Sequence, residues 1–225
     1  MSPEERAFCE RVMVAGTHAA KFHTFDYVET ILREGIPGDF VECGVFCGGH
    51  AAIASYVFSK WGVTDRKIHL FDSFQGIPKA GPEDCGEVHK TYGTSTGKME
   101  SSGKCSIGIP AVLNYLTGWG VRTDFLVFHP GWFQDVMERE AAQIGRIAFL
   151  RVDVDLYEST KLCYQHLYHK VSKGGVVVDD DWGVPNEEPG PACRKAVKDT
   201  IGYPPDGTGI FPVSGHETTA FWRRS

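Results

Sequence analysis

The strongest chemical signal in the chain lies in two groups of acidic side chains. Leu150-Arg151-Val152-Asp153-Val154-Asp155-Leu156-Tyr157-Glu158-Ser159-Thr160 closes one apolar run, and Val178-Asp179-Asp180-Asp181-Trp182 closes the next. If those runs are neighbouring strands of an open α/β sheet, their carboxyl ends meet in one crevice, which is where such sheets bind ligands. Carboxylates gathered there repel one another unless a cation intervenes. An oxygen-only set selects a hard ion, Mg²⁺ first, with Mn²⁺ and Ca²⁺ as relatives. The plain structural alternative is helix capping and loop solvation, although acidic ends on two successive strands exceed what capping requires. Asp153-Val154-Asp155 also has the D-x-D spacing of aspartyl phosphotransferases. That motif ordinarily follows a first strand, whereas here it follows the fourth, so phosphoryl transfer is a minor reading.

A second signal is Asp39-Phe40-Val41-Glu42-Cys43-Gly44-Val45-Phe46-Cys47-Gly48-Gly49, an apolar strand running into a glycine turn that opens a helix. Gly44 lets backbone approach a ligand closely, and Gly48 and Gly49 leave room beside the free N–H donors of a helix N-terminus. A dinucleotide site wants G-x-G-x-x-G, and Phe46 stands in the place of the second glycine. The turn suits a nucleoside carrying a compact zwitterion, as in S-adenosylmethionine, better than a pyrophosphate. A purely structural tight turn is the alternative. At the end of the following strand, Phe71-Asp72-Ser73-Phe74-Gln75-Gly76-Ile77-Pro78 places Asp72 where an acid can accept ribose hydroxyls, with Ser73 beside it; an Asx-turn is the plainer role for Asp72.

Other reactive residues carry less. Cys43, Cys47 and His50 raise the question of zinc, but C-x₃-C-x₂-H lacks a fourth ligand, and a free cysteine behaves mostly as a small hydrophobe. The remaining histidines, His18, His23, His69, His89, His129, His166, His169 and His216, show no metal-ligand spacing. Trp119, Trp132, Phe133, Trp182 and Trp222 are candidates for an acceptor pocket, with core or rim positions the commoner use of such rings.

The elements that must position these residues follow from periodicity. Ser2-Pro3-Glu4-Glu5 has the signature of a helix start, and a second helix is predicted from about Thr24 to Glu34, stopped by Gly35 and Pro37. Strands are predicted at Asp39–Cys43, Lys67–Phe71, Asp124–Phe128, Ile147–Val152 and Gly175–Asp179. Helices are expected between and after them near Gly49–Lys60, Ile109–Trp119, Phe133–Ile144, Glu158–Val171 and Ala192–Ile201. Ile210–Val213 and Thr218–Trp222, joined by Ser214-Gly215-His216-Glu217, read as a closing hairpin. The sum is an α/β, Rossmann-like, seven-stranded and mostly parallel sheet with a C-terminal antiparallel hairpin and helices on both faces. One domain spans residues 1–225, with N-terminal helices within 1–36. Lys79 to Lys104, rich in Gly, Ser, Thr and Lys, breaks the alternation; a lid or binding loop and a disordered excursion are equally consistent with it. Trp182 to Pro191 reads as a shorter loop.

Composition narrows the class. A chain of 225 residues, 42% hydrophobic and 23% charged, can bury a full core. A net charge of −6 offers no broad basic surface, so neither nucleic acid nor a membrane is an expected partner. Seven cysteines, an odd number in a domain of this size, argue for reduced thiols, and Met1-Ser2-Pro3-Glu4-Glu5-Arg6 has no signal-peptide pattern. The expected location is therefore cytoplasmic and the expected partner a small-molecule acceptor; self-association into a homo-oligomer is left open.

Taken together, these segments resemble the macrocin O-methyltransferase family, Mg²⁺-dependent enzymes that use S-adenosylmethionine to methylate deoxysugar hydroxyls on macrolide and aminocoumarin natural products. The resemblance rests on Gly38 to Phe46 with Gly48-Gly49, on Phe71 to Pro78, on Gly131-Trp132-Phe133-Gln134-Asp135, on Leu150 to Thr160 and on Asp180-Asp181. It extends to Cys193-Arg194-Lys195-Ala196-Val197 and Phe221-Trp222-Arg223-Arg224. It implies a class I methyltransferase fold in which Glu42, Gly44 and Asp72 hold the methyl donor and Asp153, Asp180 and Asp181 bind the metal. It also implies Asp155 as general base: some relatives carry a histidine just after the metal-binding aspartate, and Leu156 stands at that place here. The acceptor expected is a sugar or glycosylated metabolite. Two rivals are a nicotinamide-dependent oxidoreductase on a similar sheet and a non-catalytic S-adenosylmethionine-binding module.

Overall fold

The computed structural model describes residues 1–15, 18–84, 86–183, 191–202, 211–213 and 216–225. Its first element forms as the local chemistry requires. The Ser2 hydroxyl accepts from the Glu5 amide at 3.3 Å, and the Glu5 carboxylate accepts from the Ser2 amide at 2.5 Å, a reciprocal capping box ahead of α1 (Pro3–Arg11). Helix α2 (His18–Arg33) begins earlier than predicted. Thr24 thus lies inside the helix, where its hydroxyl turns back onto the Ala20 carbonyl at 3.1 Å, the mid-helix option open to Ser and Thr.

Five βα steps follow. They are β1 (Asp39–Cys43), α3 (Gly49–Lys60), β2 (Ile68–Asp72), the short α4 (Glu87–Tyr92), α5 (Ile109–Gly118), β3 (Leu126–Pro130), α6 (Phe133–Ala141), β4 (Ile147–Val152), α7 (Tyr157–Leu167), β5 (Val171–Asp179) and α8 (Ala192–Ile201). The chain closes with β6 (Phe211–Val213) and β7 (His216–Arg223). Strand β5 starts before the predicted Gly175, because Gly174, at φ +78°, lets the strand bend where its register against β4 shifts between Ile147 and Phe149. Helix α4 has no counterpart in the periodicity, since it is six residues long and lies in the aperiodic insertion. Parts of the Trp182–Pro191 loop and of the link between β6 and β7 lie outside the described residues. No helix among the described residues is long and apolar enough to cross a membrane.

The sheet runs β3-β2-β1-β4-β5-β7-β6, parallel through β5, with β7 antiparallel to both β5 and β6. Alternation sorts each strand's side chains onto two faces. Phe40, Phe149, Val176 and Val178 join Phe25, Val28 and Ile31 of α2 and Ile53 and Val57 of α3 in one core. Val41, Leu150, Val152 and Val177 face Met137 of α6 and Cys163, Tyr164 and Leu167 of α7 in the other. Burying side chains of this size contributes about 1.5–3 kcal/mol each, so helices packed on both faces supply the stability a parallel sheet needs.

The order reverses between β1 and β4, and at that switch point the two following loops almost touch. Gly44 has φ +86°, and a Cβ there would lie 1.8 Å from the Asp153 carbonyl oxygen. Gly62, at φ +65°, faces open space: a Cβ there would meet nothing within 4 Å. Gly62→Ala should therefore lose only the roughly 1–2 kcal/mol of a left-handed non-glycine residue. Gly44→Ala should lose more than about 3 kcal/mol, because backbone must move as well. Urea midpoints of the two variants check this contrast.

Candidate active site

A cleft of about 620 Å³ opens at the carboxyl ends of the strands, bordered by the loops after β1, β2, β3 and β4. Gly44, Asp72, Ser73, Asp153 and Asp155, five of the residues expected from sequence to serve the site, all line it.

Each is held by local structure. Asp72 Oδ2 accepts from the Val45 amide at 2.8 Å and Oδ1 from the Phe74 amide at 2.7 Å, so its carboxylate clamps the glycine turn as well as facing the cleft. Burial pushes Asp72 above the usual carboxylate range, and the amides of Val45, Phe74 and Phe46 oppose that. Asp72 thus holds its own turn and also borders the cleft. Ser73 Oγ donates to the Gly76 carbonyl at 2.7 Å and accepts from the Gln75 amide at 3.0 Å, which fixes the β2 loop.

The Asp179-Asp180-Asp181 run splits three ways. Asp179 accepts from the Tyr164 hydroxyl at 2.8 Å in the α7 core, where burial raises it to about 7. Asp180 turns to the other face, paired with buried Arg151 and accepting from the Thr219 hydroxyl at 2.8 Å. Asp181 Oδ2 accepts from the amides of Val154 at 2.9 Å and Asp155 at 2.8 Å, tying the β5 loop to the β4 loop. Asp180 and Asp181 are therefore neighbours of the cleft through their partners and do not border it.

Glu42 also stands apart from the cleft wall. It pairs in register with Arg151 across β1 and β4, is 1% exposed and leaves Oε2 without a partner. Burial holds this carboxyl well above its usual range despite Arg151. Gly48 sits at φ +83° as the N-cap of α3, with a Cβ position 3.0 Å from Val112; it shapes the turn from behind. Cys43, Cys47 and His50 do not converge. Cys43 lies in the α7-side core, the Cys47 thiol, raised to about 11 by burial, meets the Met13 carbonyl at 3.0 Å, and His50 Nδ1 meets Thr24 Oγ1 at 2.9 Å.

Among the described residues no three His, Cys, Asp or Glu side chains are already gathered around one point as ligands. The chemistry of the donor set nevertheless fits a hard cation. Asp153 and Asp181 are both pushed far above the carboxylate range by burial and by neighbouring carboxylates, including Asp155 and Asp180. A bound cation relieves that repulsion.

Several wall residues escaped sequence reasoning. Ala15, from the connection between α1 and α2, and Cys105 border the cleft but carry no motif. Of the tryptophans, Trp132 lines it together with Phe133 and Gln134. Trp182 and Trp222 stack edge to face at 6.0 Å within the core, and Trp119 stacks on Tyr115. Tyr92 of α4 donates its hydroxyl to Asp155 Oδ1 at 2.9 Å; an aperiodic segment gives no signal that one of its tyrosines reaches a strand end.

A model of the macrocin-O-methyltransferase (TylF) family matches residues 11–202. The 8-demethyl-8-(2,3-dimethoxy-alpha-L-rhamnosyl)-tetracenomycin-C 4'-O-methyltransferase of Streptomyces olivaceus is 34% identical over 198 residues, covering 88% of this chain and 70% of that protein. Mycinamicin III 3''-O-methyltransferase of Micromonospora griseorubida is 33% identical over 203 residues, covering 88% and 73%. The structure of the O-methyltransferase NovP superposes with a TM-score of 0.77 at 27% identity, over 94% of this chain and 83% of that one. With the family model spanning most of the chain and relatives this similar over most of their own length, the chain belongs to the macrocin O-methyltransferase family.

Proposed function

We propose that this protein transfers a methyl group from S-adenosylmethionine to a hydroxyl of a sugar or related vicinal diol on a small natural product, with Mg²⁺ assisting. The observation that carries this reading is the convergence of Gly44, Asp72, Asp153 and Asp155 on one cleft. The family membership, and relatives named for sugar O-methylation, support it.

In this reading the glycine turn and Asp72 receive the donor. The turn that starts at Gly44, which borders the cleft, receives its amino-acid end, and the unused lone pairs of Asp72 accept its ribose hydroxyls. Asp153, which lines the cleft, would hold the cation, with Asp180 and Asp181 joining it only on release of part of their present contacts to Arg151, Thr219 and the loop amides; such an ion would act as a Lewis acid lowering the pKa of an acceptor hydroxyl. Asp155 takes the proton as the acceptor oxygen forms its bond to the methyl carbon and the carbon–sulfur bond breaks, leaving S-adenosylhomocysteine. Apolar walls at Phe46, Ile77, Pro78 and Trp132 keep water, a competing acceptor, away from the methyl group.

Calorimetry should show S-adenosylhomocysteine binding at micromolar to tens-of-micromolar affinity, about −6 to −8 kcal/mol. Asp72→Ala should weaken it at least ~10-fold and also lower the melting temperature, because the same carboxylate holds two amides of its surroundings. Binding of NADH in place of the methyl donor would overturn the assignment.

Sugar-bearing acceptors such as mycinamicin III and demethyldecarbamoylnovobiocin, followed by mass spectrometry, should reveal transfer that stops in excess EDTA and returns with Mg²⁺. Asp180→Ala and Asp181→Ala should lose turnover while retaining S-adenosylhomocysteine. Undiminished turnover in EDTA rules out the metal's part.

Asp155→Asn should lower kcat by ~10²–10⁴, the usual worth of general-base assistance, with donor affinity unchanged. Wild-type kcat combined with reduced thermal stability would make Asp155 a structural residue only.

A further inference from the structure

The insertion between β2 and α5 reaches Asp155 through the Tyr92 hydroxyl, and that contact falls on an unusual piece of backbone. Asp155 has φ +63°, and the Leu156 amide donates to the Val154 carbonyl at 2.8 Å. A one-residue turn of this kind with positive φ is the rarer, strained form. Such strain persists only where surrounding bonds over-determine it, and it concentrates at functional sites. Here Asp181 Oδ2 grips the amides of Val154 and Asp155, and the Tyr92 hydroxyl grips Asp155 Oδ1. The turn fixes where the side chain starts, and the tyrosine fixes where it ends.

Tyr92 is itself anchored. Asp84, 2% exposed, accepts from the Gly81 amide at 2.8 Å through one oxygen and from the Tyr157 amide, in the first turn of α7, at 2.9 Å through the other. The Ala80 amide donates to the Gly93 carbonyl at 2.8 Å, and the Ser95 amide to the Ala80 carbonyl at 2.8 Å. The segment ahead of α4 is thereby tied through Asp84 to the helix that follows the acidic loop, and the chain just after α4 is tied to Ala80.

We propose that Tyr92 is a positioning residue: by occupying Oδ1 of Asp155 it presents Oδ2 to the acceptor hydroxyl in one orientation. This rests on the general-base reading of Asp155 given above. A hydroxyl can donate only one hydrogen, so Tyr92 engages one carboxylate oxygen and leaves the other able to accept a proton. Misplacing a reacting group by about 1 Å costs on the order of 10²-fold in rate.

The test compares Tyr92→Phe, Asp155→Asn and the double variant, using the panel acceptor with the largest kcat/KM. Tyr92→Phe should lower kcat about 10- to 100-fold, with the KM for S-adenosylmethionine unchanged. In the Asp155→Asn background it should cause no further loss, since the carboxylate it orients is gone. Equal losses in both backgrounds, or weakened S-adenosylhomocysteine binding, would reduce Tyr92 to a general support of the insertion. Wild-type kcat in Tyr92→Phe alongside an impaired Asp155→Asn overturns the positioning role and leaves the base intact; wild-type kcat in Asp155→Asn overturns the base itself. A crystal structure of Tyr92→Phe with S-adenosylhomocysteine gives an answer that needs no acceptor: the Asp155 carboxylate should turn away from its present orientation, and an unmoved carboxylate refutes the proposal.

Discussion

The contact between Gly44 and the Asp153 carbonyl governs the arrangement around it. Because no Cβ stands at residue 44, the loop after β1 and the loop after β4 can pass within van der Waals contact at the point where strand order reverses. The Asp153 amide then bonds the Cys43 carbonyl at 2.9 Å, and the Gly44 amide bonds the Phe71 carbonyl at 2.9 Å. Three parallel strands are thus laced together at their carboxyl ends, and the groups that follow them share one cleft.

That lacing concentrates carboxylates in poorly solvated surroundings, which opposes their ionisation. The chain relieves part of the opposition with its own donors. Asp72 takes backbone amides, Asp179 takes the Tyr164 hydroxyl, Asp180 takes Arg151, and Asp181 takes the two amides of the strained turn. For Asp153 the charge of Arg151 acts in its favour, and three neighbouring carboxylates act against it. A run of acids that looks redundant in sequence is therefore divided among structural and cleft-facing duties.

A buried row on the α2 side of the sheet backs this division. Glu42, Arg151 and Asp180 succeed the apolar residues Phe40, Phe149 and Val178 on the same face of their strands, and Thr24 bridges Arg151 Nη1 at 3.4 Å and His50 Nδ1 at 2.9 Å. The N-terminal helices thereby bear on the acidic loops through polar contacts as well as through packing. Met13, in the connection between α1 and α2, approaches the glycine turn so closely that a Cβ on Gly49 would lie 2.0 Å from its carbonyl oxygen.

Whatever depends on local rules could be read along the chain. Strands β1 and β4, helices α3 and α8 and the Ser2 cap were legible to the residue, because alternation, glycine turns and capping chemistry act over a few positions. The convergence of Gly44, Asp72, Asp153 and Asp155 was legible too, since parallel strands bring their carboxyl ends together whatever the details. The finer assignments came from packing in three dimensions. Thr24 became a helix-interior residue because His50 and Arg151 lie against it; Glu42 was withdrawn from the cleft because alternation, counted from Phe40, sends it to the α2 face beside Arg151. Asp180 followed the same parity, and Tyr92 acquired a place beside Asp155 through a contact between residues 63 positions apart in the chain. Such pairings carry no local pattern: they are set by how two cores pack against one sheet, and side-chain direction along a strand reverses with every residue.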